Sequence, residues 1–197
     1  MIALVVLSVV LPFGLLATIL VVNRDSGDDD VAVADTCDGA TASSVPVPPS
    51  TTPVTGRAAV GEPAPDFVLL TLDECAQERL SAHRGTPVVL TFFASWCHPC
   101  EQEMPLLESA HADRPDEFDV LAVTYEDFRR DAERFTERLG VTYLALYDTD
   151  GTVADRYGVT GIPQTWFIDE AGIVRDRVFG ITSKAALDEP LEALLRA

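Results

Sequence analysis

Residues 60–197 predict an α/β sandwich built on a mixed sheet, and three features of the sequence carry that prediction. Short apolar runs alternate with stretches of amphipathic, helix-like spacing. One run, residues 87–93 (Pro-Val-Val-Leu-Thr-Phe-Phe), shows no polar alternation, as expected of a central strand buried on both faces. The last two runs, 165–168 and 173–179, flank turn residues 169–172 and so read as a hairpin, which rules out a wholly parallel sheet.

The elements follow in order. A first strand is expected at 67–72 and the central strand at 87–93, followed by a helix that runs through Leu107 and Ala110. A Val- and Leu-rich strand is expected at 118–125. Residues 127–139 set Phe128, Phe135 and Leu139 among charges at helical spacing, and Gly140 ends that helix. A strand at 141–147, a short helix at 152–157, the turn Gly161-Ile162-Pro163 and the terminal hairpin come next. Ser183 is placed to cap a last helix that reaches Leu195. No internal repeat is visible.

Two further regions precede this domain. Residues 23–59 are rich in Asp, Ser, Thr and Pro, with too little apolar surface to offset the entropy of ordering the backbone. They read as a disordered tether that the prolines keep extended. Residues 1–22 carry no charged side chain and match the roughly 20 residues that a helix needs to cross a bilayer. A single-pass transmembrane anchor is expected, with Pro12 and Gly14 tolerated as they are in membrane helices. The alternative is a cleaved signal peptide, but no Lys or Arg precedes the apolar run and no small-x-small cleavage pattern directly follows it. Arg24, just beyond the run, by itself favours a cytoplasmic domain.

At 197 residues the chain suits one ordinary domain plus these extras. With 32 Asp and Glu against 14 Lys and Arg, it is strongly acidic, so no nucleic-acid partner is expected.

The chemistry lies in Trp96-Cys97-His98-Pro99-Cys100. Two cysteines separated by two residues, after a buried strand and at a helix start, form a redox arrangement. Unpaired amides at a helix N-terminus stabilise the thiolate, the attacking form in disulfide exchange. Cys97, the outer sulfur, is the expected nucleophile, and Cys100, one turn inward, the resolving thiol. Pro99 fits a first turn whose amides lack partners anyway. A zinc pair is the rival reading, but a closed site needs four ligands and only Cys37, Cys75 and three scattered histidines remain. A structural disulfide closing so small a loop would add little stability. No metal or other cofactor is expected.

Residues 92–100 (Phe-Phe-Ala-Ser-Trp-Cys-His-Pro-Cys), Pro105 and 158–165 (Gly-Val-Thr-Gly-Ile-Pro-Gln-Thr) resemble the thioredoxin superfamily. Residues 61–67 (Gly-Glu-Pro-Ala-Pro-Asp-Phe), the extra helical segment at 127–140 and 165–169 (Thr-Trp-Phe-Ile-Asp) are similar to its membrane-anchored TlpA and ResA type. The resemblance covers residues 60–197 and implies a thioredoxin-like three-layer α/β/α sandwich. It also implies a cis peptide between Ile162 and Pro163 facing the cysteines, where the Ile162 backbone is free to pair with an extended substrate.

Trp96 is expected to shield and pack the site. Glu103 matches a glutamate held, in ResA-like proteins, to tune thiol protonation, and Thr91 stands where ordinary thioredoxins carry a buried acid. The competing reading of Glu103 is a solvated first-turn acid favoured by the helix dipole. A protonated His98 would stabilise the thiolate, although strongly oxidising relatives carry histidine as the second residue between the cysteines. Glu101, His83 and His111 are expected at the surface. Cys37, in the tether, and Cys75, in the early hairpin, are expected to pair as a structural disulfide that places the domain in an oxidising compartment; two unrelated thiols are the alternative.

The function expected is that of a thiol-disulfide oxidoreductase on the extracytoplasmic side of a bacterial cell membrane, acting on cysteine-containing protein substrates. The resemblance implies reduction of apocytochrome c cysteines, with a membrane thiol reductase as electron donor. The same residues serve a disulfide-forming oxidant, which differs only in potential. A peroxiredoxin-type peroxidase and a redox-inert binding module are the other classes to test.

Overall fold

The computed structural model describes residues 7–10, 16–19, 56–73, 76–181 and 183–196. The chain divides into two compact units, Met1–Ala34 and Asp35–Ala197. Cys37, Cys75 and all of the tether except residues 56–59 lie outside the described residues, and the pairing expected of the two cysteines lies there with them.

In the first unit, β1 (Leu7–Val10) and β2 (Leu16–Ile19) pair antiparallel, with Leu7 opposite Ile19 and Val10 opposite Leu16. This corrects the expectation of a continuous helix over residues 1–22. Val9, Val10, Thr18 and Ile19 are β-branched and favour extended backbone, and the sequence between the strands holds Pro12 and Gly14, both poor in a helix interior. Among the described residues no helix is long and apolar enough to cross a membrane.

The second unit is built on a seven-stranded sheet in the order β4-β3-β7-β6-β5-β8-β9. Its strands are β3 (Val68–Thr71), β4 (Gln77–Arg79), β5 (Val88–Phe93), β6 (Asp119–Thr124), β7 (Leu144–Tyr147), β8 (Gln164–Ile168) and β9 (Val174–Phe179). The pairs β5–β6 and β6–β7 are parallel, whereas β3–β7, β5–β8 and β8–β9 are antiparallel, which makes the sheet mixed. Helices α1 (Cys100–Asp113), α2 (Arg129–Leu139), α3 (Thr152–Arg156) and α4 (Lys184–Leu194) complete the fold.

All six residues of β5 are buried, and successive side chains point to opposite faces. Val89 and Phe93 join one core cluster with Leu107 of α1, Phe135 of α2 and Leu191 of α4. Val88, Leu90 and Phe92 join the other, with Tyr157, Trp166 and Val153 of α3. Three helices therefore cover one face and one covers the other, giving three layers. Thr91 is the only polar residue of the central strand, and it faces the layer that holds α1.

Gly140 ends α2 in the left-handed conformation, with φ 68°. The Ser183 hydroxyl accepts the Ala186 N–H at 3.3 Å and caps α4. Three details depart from the sequence reading. β7 starts at Leu144 and not at 141, because the Glu108 carboxylate of α1 takes both the N–H and the hydroxyl of Thr142, at 2.8 and 2.7 Å. Strand β4 is the polar triplet Gln77-Glu78-Arg79, which carries no apolar alternation. His83 is half-buried between Asp119 and Glu78, with its ring nitrogens 2.6 and 3.2 Å from their carboxylates, and is not a plain surface residue.

Candidate active site

Strand β5 ends at Phe93, and the chain turns through Ala94, Ser95 and Trp96 before α1 begins at Cys100. The Cys97 N–H donates to the Ala94 carbonyl at 3.1 Å, which closes the turn. Cys97 and Cys100 are joined as a disulfide with their Cα atoms 5.3 Å apart. The Cys100 N–H lies 3.1 Å from the Cys97 sulfur, so one of the amides of the helix start is aimed at the sulfur expected to attack. Pro99 sits at the helix cap with φ −63°, the value its ring enforces.

Cys97 is 3% exposed and Cys100 is fully buried, so approach is to Cys97. Its neighbours stand in solvent: Trp96 is 59% exposed and the His98 side chain 82%. The Trp96 indole N–H donates to the Glu126 carbonyl at 3.1 Å, which fixes the ring while leaving its face open. The Ile162–Pro163 peptide is cis, as the resemblance implied, and Ile162 packs against the core cluster that contains both cysteines.

Glu103 is fully buried and is not the solvated first-turn acid of the competing reading. One carboxylate oxygen meets the hydroxyls of Thr91, at 2.9 Å, and of Thr165. The other accepts the Ile181 N–H at 2.8 Å. Burial pushes its carboxyl above the usual carboxylate range, and the hydrogen bonds from Thr165, Ile181 and Thr91 oppose that rise only in part. The Gly180 N–H donates to the Pro163 carbonyl at 3.1 Å. One side chain of α1 is thus bonded to β5, to β8 just after the cis peptide, and to the segment leaving β9.

Glu101, two residues earlier, behaves otherwise. Its carboxylate lies 2.9 Å from Arg138 of α2 and 3.1 Å from the His98 ring, and these partners, Arg138 first, hold it below its ordinary range.

The structure brings Trp96, Cys97, His98, Pro99, Cys100, Glu103, Ile162 and Pro163 into one region linked by these contacts. Sequence reasoning gave no role to Thr165, Ile181 or Arg138, and it assigned residue 125 to a strand and residues 127 and 128 to the following helix, whereas α2 starts at Arg129. Thr165 was within reach, two residues past Pro163, but Ile181 contributes a backbone amide, which no side-chain motif reports.

A Cys-x-x-Cys disulfide at the start of a helix, on a mixed sheet that also carries a cis Ile-Pro peptide, defines a thioredoxin-like thiol-disulfide oxidoreductase. The relatives carry the same description. Thiol-disulfide oxidoreductase ResA of Geobacillus thermodenitrificans (strain NG80-2) is 36% identical over 137 residues, covering 69% of this chain and 78% of the relative. Thiol:disulfide interchange protein DsbE of Escherichia coli (strain K12) is 34% identical over 140 residues, covering 70% and 74%. The crystal structure of a candidate thiol:disulfide interchange protein DsbE from Chlorobium tepidum matches with TM-score 0.65 at 32% identity, over 70% of this chain and 99% of that one. The model of the AhpC/TSA family matches residues 60–177, and the chain belongs to that family.

Proposed function

We propose that this oxidoreductase works on the extracytoplasmic side of a bacterial cell membrane and reduces disulfides in extended segments of other proteins. The observation that carries the reading is the Cys97–Cys100 disulfide at the start of α1, with exposed Trp96 and His98 around a barely accessible sulfur. Such a site admits a flexible segment that brings its own sulfur to Cys97.

In the reducing direction the Cys97 thiolate attacks one sulfur of the substrate disulfide. A bond forms between the two sulfurs, the substrate's own S–S bond breaks, and the departing sulfur leaves as a thiolate that takes a proton. Cys100 then loses its proton and attacks the Cys97 sulfur. The second substrate thiol is released, the protein disulfide forms, and two electrons have passed to the substrate. Glu103, one turn beyond Cys100, is the group proposed to hold the proton that Cys100 gives up, since burial raises the proton affinity of its carboxyl above that of an ordinary glutamate. Trp96 and the backbone of Ile162 hold the segment, and His98 with Pro99 sets the electrostatics of the thiolate.

Apocytochrome c is the proposed substrate, because the resemblance to the ResA type carries that role, and a membrane thiol reductase is the proposed donor. The uncharged run at residues 1–22 supports attachment to the membrane, with residues 23–59 as tether and an outward-facing domain.

The test is the equilibrium potential of the Cys97–Cys100 couple in glutathione buffers. A value near roughly −270 mV supports a reductant, and one near roughly −120 mV overturns it in favour of an oxidant. Cys97→Ser should abolish exchange; a variant that keeps the cellular role would instead mark a redox-inert module. Thiol-dependent consumption of hydroperoxide by the wild type would mark a peroxidase.

A further inference from the structure

The segment that leads into Cys97 is held from one side by three consecutive residues, 125–127, of the loop between β6 and α2. The Tyr125 N–H donates to the Phe93 carbonyl at 2.8 Å. The Glu126 carbonyl takes the Trp96 indole N–H at 3.1 Å. The Asp127 carboxylate takes the Ser95 N–H on Oδ2 at 2.5 Å and the Ser95 hydroxyl on Oδ1 at 2.9 Å. Oδ1 also accepts the Phe128 N–H at 2.9 Å, at the start of α2.

The β5–β6 ladder stops where Phe93 faces Thr124, so a side chain holds the segment where no sheet partner remains. Glu126 has φ +46°, an uncommon conformation for a residue with a Cβ, and it lies between the two residues that grip Ser95 and the strand end. A backbone held in that region, next to a reactive sulfur, is maintained by its surroundings. Both hydrogen atoms that Ser95 can donate end on one carboxylate, two residues before the nucleophile.

We infer that Asp127 is a positioning residue for the exchange reaction: by fixing Ser95 it fixes where the Cys97 sulfur sits against the first amides of α1. The inference rests on the reading of Cys97 as the attacking sulfur. Attack on a disulfide needs the incoming sulfur in line with the bond that breaks, and a misplacement of about 1 Å costs on the order of 100-fold in rate. Asp127 acts through Ser95 and touches no reacting atom. A mere structural tie would lower the melting temperature of a variant and leave the chemistry of Cys97 alone.

The experiment follows the full chain, in its reduced form, attacking a small aromatic disulfide, 5,5′-dithiobis(2-nitrobenzoate), with the rate recorded against pH. This probe needs no protein docking. Asp127→Ala is expected to lower the high-pH plateau about tenfold. It should also raise the midpoint of the curve, because the Cys100 N–H no longer meets the Cys97 sulfur squarely. Ser95→Ala, which removes one of the two donors, should give a smaller drop, and should add nothing in the Asp127→Ala background. An Asp127→Ala curve that superposes on the wild type, or Ser95→Ala and Asp127→Ala effects that simply multiply, overturns the role. If Asp127→Ala does not fold, Ser95→Ala alone decides: a curve unchanged from the wild type overturns it. A wild type inert to the probe would sink the exchange reading itself, whereas an active wild type with an unchanged Asp127→Ala variant sinks only the part given to Asp127.

Discussion

Glu101 and Glu103 share the first turn of α1, carry the same functional group and lie two residues apart, yet their environments drive them in opposite directions. Glu101 is half-exposed and paired with Arg138 and His98, so its charged form is favoured. Glu103 is sealed under Thr91, Thr165 and Ile181, so its neutral form gains. Two residues along a helix turn a side chain by about 200°, from the solvent face to the sheet face. The contrast teaches that the helix start does not set the protonation of its acids; the layer each side chain meets does.

The largest break in this contrast should come from Glu103→Ala. It leaves the Ile181 N–H without an acceptor and opens a void beside two hydroxyls, and we expect a loss of about 2–4 kcal/mol in urea unfolding. Glu103→Gln should cost far less, because its amide NH2 can donate to the Thr91 and Thr165 hydroxyls while its oxygen takes the Ile181 N–H.

The same pair of chains sharpens the comparison through pH. The folded pKa of Glu103 is raised above its unfolded value of about 4.3, so its contribution to stability is fully present below that value and is lost as pH rises through the folded pKa. Wild type minus Glu103→Gln should therefore fall in stability from pH 4 upward and level off once the folded carboxyl is ionised. A flat difference across that window would show that folding does not raise the Glu103 pKa.

Thr165→Val comes next. It removes one hydroxyl from the buried carboxyl and should cost about 1 kcal/mol, while moving the Glu103 titration upward because a bond that favours the charged form is gone. The smallest effect belongs to Glu101. Arg138→Ala should raise the Glu101 pKa, read by NMR titration, with no measurable change in melting temperature. Salt at about 1 M should reproduce that shift in the wild type and leave Glu103 where it is, since exposed charges are screened and buried ones are not. Because the folded pKa of Glu101 is lowered, whatever stability it gives is present above its unfolded value and is lost as pH falls through the folded one.

Much of the fold could be read from pattern. The central strand announced itself as an unbroken apolar run, α2 as Phe135 and Leu139 at helical spacing closed by Gly140, and the terminal hairpin as two runs around a turn. β4 could not be read, because an edge strand of three polar residues is held by its partner β3 and not by any face of its own. The paired strands in residues 7–19 show the reverse failure: mean apolarity over 22 residues suits a helix, while the β-branched residues within it suit a strand. Cys97 and Cys100 were legible because their chemistry depends on a local spacing. Asp127, Ser95 and Ile181 were not, because each matters only through a residue distant in the chain.

The class of this protein is written in local pattern: a Cys-x-x-Cys pair at the joint of a buried strand and a helix, with an Ile-Pro turn far downstream, leaves little choice of chemistry. Local geometry follows from bonded neighbours, so spacing alone sets it. Packing, in contrast, sets which acid of α1 is buried, brings Thr91, Thr165 and Ile181 together on it, and lets a loop from beyond β6 grip Ser95. Those outcomes depend on which surfaces lose water together, and desolvation is a property of the packed layers, not of any stretch of chain.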